Sequence, residues 1–142
     1  MDAVNLARHA HFRPTTIVLR ATVVFLTLTT AAIHWSLGGL LFTLNAAGYA
    51  VLAAAMVAPA VFVEIRWLVR LGLIGFTAAT IGGWVLLGPR FGLAYFDKAI
   101  EVSLIALLFV ELWREDGGPL ALANRAYRQV MHARSVLARL VR

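Results

Sequence analysis

Several ionisable residues lie within or beside apolar stretches, where any charge must be accounted for, among them Arg20, His34, Asp97, Lys98, Glu101 and Glu111. Lys98 and Glu101 are three residues apart and can pair on one helix face, whereas Asp97 and Glu101, four apart, place like charges on a shared face. A carboxylate one turn inside an apolar segment needs a partner, and such a group is a candidate for handling protons or cations. Glu101 is accordingly the candidate ion or proton site, with Lys98 and Asn45 beside it and Arg90 and His34 on the same side of the membrane. The simpler reading is a structural Lys98–Glu101 ion pair near the membrane surface. Glu111, three residues before Arg114, invites the same local pairing.

His34 stands near a helix end. It suits an interfacial hydrogen-bonding histidine, and the alternative is an axial ligand to haem or a chlorin. His9 and His11 lack a third ligand nearby, so no metal site is assigned. The chain contains no cysteine, which removes disulfides, thiolate metal sites, iron–sulfur clusters and thiol catalysis. No Ser/His/Asp arrangement, phosphate-binding glycine loop or H-E-x-x-H motif is present, so a non-catalytic protein is expected and its cofactor is unknown.

These residues must be positioned by membrane helices. The chain of 142 residues is 61% hydrophobic and 14% charged, with a mean hydropathy of +0.82, against about 25% charged residues in soluble domains. The spacing predicts an all-α integral membrane protein: four transmembrane helices in an up-down bundle, followed by a basic amphipathic helix lying at the interface. Residues 1–14 form a cytoplasmic leader, 15–113 the membrane domain and 114–142 the cytoplasmic tail. The expected spans are 15–33, 40–63, 68–87 and 96–113.

The second span carries a polar spine of Asn45, Gly48, Tyr49 and Met56 at helical spacing. Lipid gains nothing from an amide or a glycine notch, so this face should meet a neighbouring helix. A second row, Ala46, Ala50, Ala54 and Ala58, points to contact with more than one helix. In the third span Gly72, Gly75, Ala79 and Gly82 form a smooth strip for close backbone approach. Trp35 and the Gly38–Gly39 pair read as an interfacial turn closing the first hairpin.

Every basic residue except Arg90 and Lys98 would share one side in a four-span chain. The positive-inside rule therefore places both termini in the cytoplasm, and the arginine-rich, alanine-rich composition suggests a bacterial cytoplasmic membrane. On the tail helix, Arg125, Arg128, Arg134 and Arg139 would dock on anionic lipid headgroups or on a partner. Nucleic acid is the weaker expectation because few aromatic residues are available to stack on bases.

Three functional readings follow. The first is an accessory subunit of a larger respiratory or photosynthetic membrane complex, bound to other subunits. The second is a small homo-oligomeric transporter or proton conductor using Glu101. The third is a haem- or chlorin-binding subunit using His34.

Overall fold

The computed structural model describes residues 14–58 and 66–118, and beyond them 121, 122, 124, 126–128 and 131. Four helices account for most of this: α1 (Pro14–Leu37), α2 (Leu40–Val57), α3 (Arg66–Leu87) and α4 (Gly92–Asp116). Each packs on the next and α4 returns to α1, closing a ring of antiparallel neighbours. Three of them, α1, α2 and α3, are long and apolar enough to cross a membrane. The fourth is 25 residues long, about 37 Å at helical rise, but it carries more charge than the others.

The helix ends differ from expectation for local reasons. Residues 34–37 belong to α1 rather than to a turn, because only Gly38 and Gly39 adopt the left-handed backbone, at φ 70° and 80°, that reverses the chain. Helix α2 stops at Val57, with Ala58 leaving helical geometry ahead of Pro59, whose ring disfavours it in the preceding residue; the rest of the expected span, 59–63, lies outside the described residues. The fourth helix starts at Gly92 rather than Phe96, because nothing between Phe91 and Phe96 interrupts it once Pro89 is passed. It ends at Gly117, again left-handed.

Each helix turns one stripe inward. On α1 this is Val23, Thr27, Thr30, Ala31 and His34; on α2, Ala46, Tyr49, Ala53 and Met56; on α3, Trp67, Arg70, Leu73 and Thr77. On α4 the buried stripe is Ala94, Asp97, Lys98, Glu101, Leu104, Leu108, Glu111 and Leu112, at the three- and four-residue spacing of one helix face. The centre of the bundle is apolar, with Val23, Tyr49, Met56, Leu73, Leu104 and Leu108 in one cluster. Outward faces carry large apolar side chains, among them Phe25, Val51, Leu86, Val102 and Phe109. This is the reverse of a soluble bundle, and it is consistent with a membrane protein.

The small-residue rows behave unequally. Ala46 is buried, but Ala50 and Ala54 face outward, so the second alanine row is not an internal seam. Gly48 lies against Phe76, whose ring packs edge-on to Tyr49 at 4.9 Å between centroids. Along α3, a β-carbon built on Gly72 would make ordinary contact with Leu52, whereas one on Gly75 or Gly82 meets nothing. Gly75 and Ala79 are exposed, so most of this strip faces out of the bundle and does not join α3 to another helix of the same chain.

Of the tail, Leu122 is buried against Trp67 and Leu112 with Ala126 beside it, and Arg128 is exposed. Arg125, Arg134 and Arg139, like the leader with His9 and His11, lie outside the described residues.

A β-carbon on Gly48 would sit 2.5 Å from Phe76 Cζ. Gly48→Ala is therefore expected to destabilise the bundle by about 1–3 kcal/mol in detergent unfolding, while Gly75→Ala changes stability by less than about 1 kcal/mol. Equal effects of the two would contradict this packing.

Candidate functional site

The inward stripe of α4 holds ionisable groups at two levels. The upper group lies towards the α1–α2 and α3–α4 turns and collects side chains from all four helices. Lys98 Nζ is 2.5 Å from Glu101 Oε2 and 3.1 Å from Asp97 Oδ2, so one ammonium bridges the two like charges. Tyr49 on α2 donates to Glu101 Oε1 at 2.9 Å, and Thr80 on α3 lies 3.0 Å from the same oxygen. Thr30 on α1 donates to Asp97 Oδ1 at 2.6 Å.

His34 completes the group. Its Nδ1 lies 2.9 Å from the Thr30 carbonyl, which can only accept, so Nδ1 carries a proton. The same nitrogen is 3.7 Å from Asp97 Oδ2, and Nε2 is 3.9 Å from Glu101 Oε1. All four ionisable side chains are buried, Glu101 completely and Lys98 at 9% exposure. His34 is buried within the bundle and hydrogen-bonded there, three residues before the end of α1. The Lys98–Glu101 pair forms as the spacing suggests, and both side chains are buried in the bundle.

Above this group lies a cavity of about 340 Å³. Asn45 lines it, as do His34, Thr80, Asp97 and Lys98, while Phe42, Phe76, Trp84 and Phe91 supply aromatic walls. The structure therefore brings together His34, Lys98, Glu101 and Asn45, and adds Asp97, Tyr49, Thr30 and Thr80. The four-residue spacing already puts Asp97 on the helix face of Glu101. Nothing local marks Thr30 or Thr80, whose roles arise only from the helix that each one faces.

Charge decides what this arrangement can do. Two carboxylates and one ammonium leave one negative charge in a site shielded from water, and buried charge of that kind is costly unless matched. One further proton, on His34 Nε2 or on a carboxylate, brings the group to neutrality. His34, Asp97 and Glu101 also offer three atoms within 4.8 Å of one another, a spacing that could hold a metal ion. The Lys98 ammonium already bridges those two carboxylates, so a metal would have to displace it. His34 borders the cavity, and its Nε2 has Glu101 Oε1 at 3.9 Å.

The lower group lies near the opposite end. Glu111 is fully buried and its Oε1 accepts from Arg70 at 3.0 Å and from Arg20 at 3.2 Å. Arg20 also approaches Glu115 at 4.0 Å, and Thr16 donates to Glu115 at 3.0 Å. The expected Glu111–Arg114 pairing is replaced by contacts across helices, because Glu111 is on the inward stripe and Arg114 is exposed. Arg20 on α1 thus turns to a carboxylate on α4.

Neutralising Glu111 takes away the buried carboxylate that Arg70 and Arg20 both bond. Glu111→Gln should lower stability in detergent unfolding by about 3 kcal/mol or more, against under about 0.5 kcal/mol for exposed Arg114→Gln. Comparable losses would refute pairing across the bundle.

Comparison of the chain with protein-family models, curated proteins and solved structures finds no match in any of the three.

Proposed function

We propose that the protein is a four-span bundle of the bacterial cytoplasmic membrane that takes up and releases a proton at the His34–Asp97–Lys98–Glu101 group, in proton or proton-coupled solute passage. The observation that carries this reading is the burial of those four ionisable side chains in one hydrogen-bonded network beside a cavity. A purely structural ion pair needs two charges. Here three charges and a histidine converge, and their sum is neutral only with one additional proton.

The reading includes α4 as a fourth span. Its buried stripe takes Asp97, Lys98, Glu101 and Glu111 inward, leaving Leu93, Phe96, Val102, Phe109 and Val110 to face lipid. Ionisable residues within membrane spans are expected to face the bundle interior and pair there. The distribution of arginines supports cytoplasmic termini, which puts the cavity and Arg90 towards the opposite side. The tail arginines suit contact with anionic headgroups.

A second reading, an accessory subunit of a larger complex or a homo-oligomer, is favoured by the outward glycine strip of α3. Open space at Gly75, Gly82 and Gly83 would let the backbone of another chain approach closely. The haem-carrier reading has no comparable support.

In proteoliposomes carrying a pH gradient, the unmodified chain should pass protons and Glu101→Gln should reduce that flux about tenfold or more. Flux equal in the two would refute the proposal and favour the accessory reading. Because the chain lacks cysteine, single cysteines report orientation directly. Ser36→Cys should react with an impermeant maleimide from outside intact cells, and Asn124→Cys only after lysis; the opposite pattern would overturn the topology.

A further inference from the structure

We infer that the cavity binds a small hydrophobic organic cation, a monovalent ammonium ion with an apolar or aromatic substituent, which settles against Asp97 in exchange for a proton. The inference rests on the proton-handling reading above and names the substrate class of the same site.

Three observations support it. The first is charge. Asp97 and Glu101 outnumber Lys98 by one, so an anion entering the cavity meets excess negative charge, and a neutral molecule leaves that excess uncompensated. A monovalent cation closes the balance as one proton would. Both together would leave the buried group positive, and they therefore compete.

The second observation is the division of labour between the carboxylates. Lys98 is closer to Glu101, at 2.5 Å, than to Asp97, at 3.1 Å. Glu101 is further held by Tyr49 and Thr80, whereas Asp97, bonded by Thr30 at Oδ1, borders the cavity directly. Asp97 can turn to a ligand while Lys98 stays on Glu101. The other groups facing this position are His34 and Thr30 from α1, Asn45 and Tyr49 from α2, and Thr80 from α3. None of them brings a second fixed positive charge.

The third observation is the wall. Phe42, Phe76, Trp84 and Phe91 present aromatic surface around a volume of about 340 Å³, at the small end of ligand cavities and suited to a compact apolar group. Aromatic faces attract cations in dry surroundings. The Trp84 ring already takes one, the guanidinium of Arg90, at 4.3 Å from its centroid. Arg90 itself is exposed and bonded to the Val85 carbonyl at 2.7 Å, which holds it at the turn above the cavity.

The test is calorimetric titration of the purified full chain in detergent with three probes of similar bulk: benzyltrimethylammonium, neutral benzyl alcohol and anionic benzenesulfonate. The cation should bind at least about tenfold more tightly than either of the others. Its affinity should rise by up to about tenfold per pH unit, as the displaced proton becomes easier to release. Asp97→Asn should abolish the preference for the cation. The probe series runs on the unmodified chain, so the outcome does not depend on the variant folding. No binding of the cation, or equal binding of benzyl alcohol, overturns the inference. Cation-selective binding that ignores pH upholds the cation site and refutes the proton reading beneath it.

Discussion

The structure depends on matching buried charge along one stripe of α4. Glu101 and Glu111 lie ten residues apart on that stripe, about 15 Å along the helix axis. Each is fully buried and each is met by cations, Lys98 above and Arg70 with Arg20 below. An unpaired carboxylate in such surroundings would be strongly destabilising. The positions of α1 and α3 relative to α4 are therefore tied to these contacts as well as to apolar packing. Between the two levels lies the apolar centre formed by Val23, Met56, Leu73, Leu104 and Leu108.

The two levels differ in kind. The lower one is arginine-rich and bonds Glu111 from two helices, an arrangement that fastens α1 and α3 to α4. The upper one mixes a histidine, an ammonium, two carboxylates, a phenol and two hydroxyls, and it borders a cavity. Groups that fasten a bundle do not need a neighbouring void or a histidine among them. The upper level has both, which is why the functional reading is placed there. The outer faces of the described helices carry large apolar side chains, among them Phe25, Val51 and Phe109.

The helical content and three apolar spans were legible from hydropathy alone, and the Lys98–Glu101 pair from its three-residue spacing. The interior position of His34 was not, because Trp35 and the glycine pair look like an interfacial turn. Only the positive φ of Gly38 and Gly39 shows that the turn begins four residues after His34. The partners of Glu111 were hidden for a different reason. Local spacing offers Arg114, whereas the actual partners, Arg20 and Arg70, are 91 and 41 residues away in sequence. Asn45 was legible as polar on an apolar helix, and its place on the cavity wall depends on where α3 and α4 put Thr80 and Asp97. The glycine strip of α3 was legible as a surface for close backbone approach, but sequence cannot say whether a helix of the same chain or another chain meets such a face.

The most direct test of the central claim is a pH-difference infrared spectrum of the protein in lipid bilayers, compared with that of His34→Gln and Glu101→Gln. A group of two carboxylates, one ammonium and one histidine that is neutral with one added proton predicts a single protonation step from the buried cluster, altered in both variants. Two carboxylates titrating independently of each other, with spectra indifferent to His34, would contradict the account.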